Sequence, residues 1–170
     1  MLRTGILSVV ACLLATGLSQ GQEFPKPGPE HKELQEMVGT WETVMEINGQ
    51  KSKGTAVYKS ICGGMFVASD FDGEFFGQKF TGHGIDGYDQ NKKEFVSVWV
   101  DSMTSSPMEL RGKYEDKVLV MTGEAAGPDG SMQKVKTTTT MKDKDHMTFK
   151  FHMVDGGDQP MFTIEYSRKK

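Results

Sequence analysis

Between Gly63 and Met103 the chain reads GGMFVASDFDGEFFGQKFTGHGIDGYDQNKKEFVSVWVDSM. Aromatic residues alternate with small or polar ones, and glycines recur every few positions. Successive side chains of a strand point to opposite faces, so this alternation marks strands, and the glycines let those strands bend sharply. A helix would instead need apolar residues spaced three and four apart. The segment therefore predicts curved, hairpin-linked strands closing round a core.

The chain after Gly39 continues in the same way. Strands are predicted at 41–48, 53–60, 65–72, 75–87, 93–102, 107–114, 117–125, 131–142, 146–154 and 160–168. Asn48-Gly49 is a strong primed-turn pair. Asp89 to Lys92, Glu115 to Lys117 and Asp143 to Asp145 read as short polar links, and Gly127-Pro128-Asp129-Gly130 suits a type I turn. Links this short leave no room for helical crossovers, so neighbouring strands must pair antiparallel. Closure removes the exposed edges of such a sheet. The expected fold class is all-β: an antiparallel up-and-down β-barrel of about ten strands with one short N-terminal helix.

That helix is predicted from Glu30 to Val38. Pro29 suits the first turn, Glu30 and Glu33 favour its positive end, and Gly39 stands where a capping glycine belongs. Leu34, Met37 and Val38 form one narrow apolar face. The helix is expected to cap one end of the barrel, with Leu34 and Val38 inward and Glu33 and Glu36 outward.

The first residues belong to a different kind of segment. Arg3 precedes an apolar run from Ile6 to Leu18, and Ser19-Gln20-Gly21 supplies small residues for a peptidase. This is the pattern of a signal peptide, residues 1–21, cleaved near Gly21. The run falls short of the roughly 20 residues that a membrane-spanning helix needs. A secreted or periplasmic protein with no membrane span after cleavage is expected, an uncleaved anchor being the alternative. Residues 22–28 form a Pro-rich lead, and residues 29–170 form a single barrel domain. Cys12 falls in the signal core. Cys62 then remains alone, so no intramolecular disulfide can form. It reads as a buried small hydrophobe.

The chain has 20 Lys and Arg against 23 Asp and Glu, a net charge of −3. The two signs are interspersed, and no basic stripe exists to meet a phosphate backbone, so nucleic acid is not an expected partner.

Gly82 to Gly87 matches the dinucleotide-binding glycine pattern. That motif needs a helix N-terminus directly afterwards, and Tyr88 to Lys92 is a turn into another strand. The glycines are read as bending points. His146 and His152 share a strand face with Lys150 and read as solvent-facing. His83, beside Ile85, is the one histidine kept as a pocket candidate. No close ligand spacing calls for a metal, and no cofactor is expected. Neither Gly-x-Ser-x-Gly nor His-Glu-x-x-His occurs. An outer-membrane barrel would have to line its lumen with Lys134, Lys136 and Lys150, and is set aside.

Strand parity places Met147, Phe149, Phe151 and Met153 on one face, and Phe95, Ser97, Trp99 and Asp101 on another. If both faces are interior, the candidate ligand-binding cavity is formed by Phe95, Trp99, Asp101, Met103, Met147, Phe149, Phe151 and His83. The expected ligand is then small and apolar or amphipathic. Methionine, with 12 residues, fits either an adaptable cavity or a plain Met-rich core. Two alternatives stay open. One is an enzyme using Asp101 with His83 or Asp86 at the barrel mouth. The other is a filled barrel serving as a structural or interaction module.

Three passages together resemble an uncharacterised bacterial secreted family, one of the numbered domains of unknown function, grouped with calycin-like barrels. They are Pro27-Gly28-Pro29-Glu30-His31 leading to Gly39-Thr40-Trp41, then Gly63-Gly64-Met65-Phe66 continuing to Gly87-Tyr88-Asp89, and Trp99-Val100-Asp101-Ser102-Met103. The resemblance runs from Pro27 to Arg168. The family often carries a basic residue where this chain has Met65. Gly39-Thr40-Trp41 is also similar to the Gly-x-Trp that opens lipocalin-type barrels. That similarity implies a basic residue near the last strand packing over the indole. Arg168 is placed to do so, making Trp41 and Arg168 the expected structural closure. The resemblance brings no substrate with it.

Overall fold

The computed structural model describes residues 24–127 and 130–170. The leader expected at residues 1–21, with Cys12, lies outside the described residues. So do the two central residues of the turn expected at 127–130.

One helix and ten strands follow in chain order: α1 (Pro29–Gln35), β1 (Gly39–Ile47), β2 (Gln50–Ile61), β3 (Phe66–Phe75), β4 (Gln78–Asp89), β5 (Glu94–Asp101), β6 (Met108–Glu115), β7 (Val118–Ala126), β8 (Met132–Asp143), β9 (His146–Met153) and β10 (Phe162–Arg168). They form one closed antiparallel barrel. Each strand pairs with its sequence neighbours, and β10 returns to β1 in a register running from Trp41 opposite Arg168 to Glu46 opposite Thr163.

The expected strands are all present, but one turn is displaced. The sequence pattern suggests a strand beginning at Phe75, whereas β3 runs through Phe75 and the chain reverses at Phe76-Gly77, where φ is 51° and 75°. Two left-handed residues match the twist of the flanking strands. Phe76 sits edge-on to Phe75 with ring centroids 4.7 Å apart, a contact that helps offset its unusual backbone.

Because hairpin links alternate ends, α1 and the short turn at Cys62–Gly64 lie at one end of the barrel. The longer segments at 102–107 and 154–161, with Gly127, Gly130 and Ser131, lie at the other, which forms the mouth. Inward positions are apolar or aromatic, as in Trp41, Met45, Phe71, Leu110, Met121, Phe151 and Ile164, all buried. Outward positions carry exposed charges at mid-strand, among them Lys53, Glu109, Lys134, Lys150 and Glu165. No helix among the described residues is long and apolar enough to cross a membrane.

The helix closes its end of the barrel. Leu34 is fully buried and Met37 nearly so, Val38 is half-buried, and Glu33 and Glu36 are exposed. The inward pair is therefore Leu34 and Met37, not Leu34 and Val38. The helix stops at Gln35, short of the expected Val38, because residues 36–38 form a turn whose carbonyls are claimed elsewhere. Arg168 donates from Nη2 to the Glu36 carbonyl at 2.8 Å and from Nη1 to the Val38 carbonyl at 2.7 Å. Gly39 follows with φ of 141°, and any Cβ there would run into the Arg168 guanidinium. Only glycine meets both conditions.

Two further expectations are corrected. Cys62 is exposed, not buried, because it opens the turn at the helix end of β2 with φ of 51°. His152 faces outward as parity requires, yet it is buried, because the segment following β9 folds over it and its ring hydrogen-bonds the backbone at Asp158.

Candidate ligand-binding cavity

The barrel is not filled by its own side chains. A cavity of about 890 Å³ occupies the interior and reaches the mouth. Its upper wall is aromatic. Phe75 lies 5.6 Å from Phe80 and 5.9 Å from Phe162, and Phe151 stacks on Phe162 at 5.0 Å. Met45, Met108, Met121 and Met153 add flexible apolar surface. The volume and the mainly apolar lining are those of a small-molecule site.

Trp99 forms a panel of this wall, and neighbouring residues fix it there. It pairs with Gly84 across β4 and β5, and its indole lies flat over Gly82 and Gly84, where a Cβ would collide with the ring. Its Nε1 donates to Asp101 Oδ2 at 3.0 Å, while Asp101 Oδ1 accepts from the Met103 and Thr104 amides at 2.8 and 3.1 Å. These glycines, read from sequence as bending points, serve as the seat of an indole. Asp101 anchors both the ring and the loop at the mouth.

The opposite end of the cavity is polar. Asp86 of β4 points inward, opposite Ser97 of β5, which donates a side-chain hydrogen bond to its carboxyl. Its side chain lines the cavity. Burial away from bulk water pushes the Asp86 pKa up to about 6, and the Ser97 bond only partly opposes this. Tyr58 of β2 and Tyr166 of β10 stand nearby, their ring centroids 6.4 Å apart and their hydroxyls hydrogen-bonded. Burial pushes Tyr166 up to about 12 and Tyr58 well above the ordinary value. Both therefore stay neutral at physiological pH. Ser69 and Thr137 complete this polar floor.

The predicted cavity residues divide into three groups. Trp99, Asp101, Met103, Phe149 and Phe151 line the cavity. Phe95 and Met147 face inward but do not line it; they are buried beneath it in the core next to α1. Phe95 is held there between Tyr88 at 5.0 Å and Tyr114 at 5.2 Å. His83 is outside altogether. Its Nδ1 lies 2.8 Å from Asp70 Oδ1 on the exposed face of β4, since the inward positions of that strand are Gly82 and Gly84. The predicted closure is present: the Arg168 guanidinium carbon lies 4.0 Å from the Trp41 ring centroid.

The enzyme alternative needed Asp101 beside His83 or Asp86. Asp86 pairs with Ser97, four residues along β5 from Asp101. At roughly 3.3 Å per residue their backbone positions stand about 13 Å apart along the strand direction. His83 is on the other side of the sheet. Asp86 is bonded to Ser97, and Asp101 to Trp99 and the amides of Met103 and Thr104, so the structure does not bring the three groups together as a catalytic cluster. Among the described residues, no three of His, Cys, Asp and Glu are grouped as a metal site would require.

A de novo designed fluorescence-activating β-barrel is 15% identical, with 79% of this chain and 95% of that chain covered and a TM-score of 0.47. A redesigned β-barrel is 16% identical over 80% of this chain and 94% of that one, with a TM-score of 0.44. Another redesigned β-barrel, bound to DFHBI, is 18% identical over 79% and 100%, with a TM-score of 0.44. No curated protein matches the chain. The family model described as protein of unknown function (DUF1579) matches residues 26–168. That span takes in α1 and all ten strands, and the chain belongs to this family.

Proposed function

We propose that the protein is a secreted or periplasmic barrel that binds a small apolar or amphipathic molecule in its interior. The observation that carries this reading is the cavity itself. A barrel serving only as a rigid module would gain stability by filling this space, since unfilled apolar volume costs packing energy. Here Phe75, Phe80, Phe149, Phe151 and Trp99 surround the space without filling it. The polar floor at one end and the apolar wall toward the other suit a molecule with one polar end.

The test is mass spectrometry of small molecules released from protein purified under native conditions, paired with titration by an environment-sensitive apolar dye. A stoichiometric co-purifying amphiphile that competes with the dye supports the proposal. Absence of both a co-purifying molecule and saturable dye binding refutes it. Localisation is checked separately, by the mass of the mature chain and by fractionation of the cells that make it.

A further inference from the structure

The cavity contains one group that its apolar walls do not account for. Asp86 brings a carboxyl into a mainly apolar space; the other carboxyl on the lining, Asp101, is already engaged by the Trp99 indole and the Met103 and Thr104 amides. A buried carboxylate is stable only when it is paired with a cation or protonated. No lysine, arginine or histidine lines the cavity among the described residues. The groups facing Asp86 can be named element by element. Ser97 from β5 donates to its carboxyl, and Tyr58 from β2 and Tyr166 from β10 stand within reach of its charge; Ser69 from β3, paired with Tyr58, Met37 from the turn after α1 and Asp101 further along β5 also line the cavity. Arg168, the inward-facing cation of β10, is committed to the Trp41 ring and to the carbonyls of Glu36, Val38 and Lys144.

From this placement we infer that the ligand carries a protonated amine, held by the Asp86 carboxylate, with its apolar body running past Phe149, Phe151 and Trp99 toward the mouth. The inference rests on the ligand-binding reading of the cavity and specifies the ligand's polar end. An ammonium group has three protons to donate. The Asp86 carboxylate accepts one, and the Tyr58, Tyr166 and Ser69 oxygens offer acceptors for the others. A carboxylic acid would place a second negative charge beside the first. A neutral alcohol would leave the charge of Asp86 without a counter-ion. In both cases the polar floor works against the ligand, so the cavity selects by charge as well as by apolarity.

The experiment uses three probes that share one chain and differ only at the head: decylamine, decanol and decanoic acid. Their affinities for the full chain are measured by calorimetry at pH 7.5 and, for the amine, across pH 5 to 7.5. The amine stays charged throughout, whereas Asp86 ionises at about pH 6. Amine affinity is expected to rise about tenfold from pH 5 to pH 7, following the ionised fraction of that carboxyl. At pH 7.5 the amine is expected to bind at least about tenfold more tightly than the alcohol, with the acid weakest. Asp86→Asn is expected to remove the amine preference and leave decanol binding in place.

Equal affinity for amine and alcohol overturns the amine assignment and leaves ligand binding standing. So does a flat pH profile, or an amine preference that survives Asp86→Asn. Failure of all three probes to bind overturns the ligand-binding reading itself. The pH profile needs no substitution, so it decides the matter even if the variant fails to fold.

Discussion

The guanidinium of Arg168 lies over the indole of Trp41 at 4.0 Å, across the one pairing that joins the first strand to the last. Trp41 is fully buried and donates from Nε1 to the Met37 carbonyl at 2.8 Å. Arg168 donates to three further carbonyls, at Glu36, Val38 and Lys144. The pair thus ties the turn after α1 to both edges of the seam. Trp41→Ala should cost about 3–5 kcal/mol. Arg168→Ala should cost about 2–3 kcal/mol, through the lost stacking and the carbonyls left without donors. The double variant should show about 1–2 kcal/mol of coupling in urea unfolding. Arg168→Lys should recover little, because an ammonium cannot reproduce the fork that reaches three carbonyls. Strict additivity would contradict the closure.

Asp86 predicts a pH-dependent stability change. Its pKa in the folded protein is raised from 3.8 to about 6, so folding favours its protonated form. Below about pH 3 it is protonated whether the chain is folded or not, and it costs nothing. The cost grows through pH 5 and is complete above pH 6. A shift of this size amounts to at most about 3 kcal/mol, reduced by any water in the cavity. Asp86→Asn should therefore stabilise the protein by about 1–3 kcal/mol at pH 8, and the gain should fall towards zero by about pH 3. Chemical denaturation at the two pH values checks this. An equal gain at both would show that the carboxyl is not desolvated.

Gly82 should tolerate no side chain while Trp99 is present. A Cβ there would overlap the indole, which is itself pinned by Asp101. Gly82→Ala should cost about 1–3 kcal/mol and alter the near-UV circular dichroism, as overpacking requires. In a Trp99→Leu background the same substitution should cost under about 0.5 kcal/mol, because its obstacle has gone. A similar penalty in both backgrounds would place the strain in the β4 backbone instead.

Truncation at residue 35 tests the plug. It removes α1 and Leu34 but leaves the carbonyls of Glu36, Met37 and Val38 that Arg168 and Trp41 use. The strand signal in far-UV circular dichroism should persist, while fluorescence of an apolar dye should increase as the interior opens at that end. Unchanged dye binding in a folded truncation would show that the helix does not close the barrel.

The barrel could be read from the sequence because its signals are local. Alternation in Met147, Phe149, Phe151 and Met153, and the turn pair Asn48-Gly49, each specify structure within a few residues. The closure at Trp41 and Arg168 was legible only through resemblance. The cavity floor was much less so. The sequence offers Asp86 only as a possible partner of Asp101, because its actual partner Ser97 depends on pairing register, which no single strand encodes. His83 was misplaced because the inward positions on either side of it are Gly82 and Gly84, which carry no side chain to mark a core face. His152 and Cys62 went astray for a related reason. Burial there is decided by what a neighbouring turn covers, and such coverage leaves no period in the sequence.

The seam between β1 and β10 also bears on how the barrel is assembled. Every other pairing joins strands that are consecutive in the chain, so each can form across a short loop. The seam brings together residues such as Val38 and Arg168, 130 positions apart. Closing so long a loop carries the largest entropic cost of any pairing here, and it is offset only once the sheet has curled round. The seam is therefore the last contact to form and the first to open. Weakening Arg168 should speed unfolding and leave the folding rate nearly unchanged. The clamp over Trp41 would then act chiefly as a kinetic latch, determining how long a closed barrel lasts.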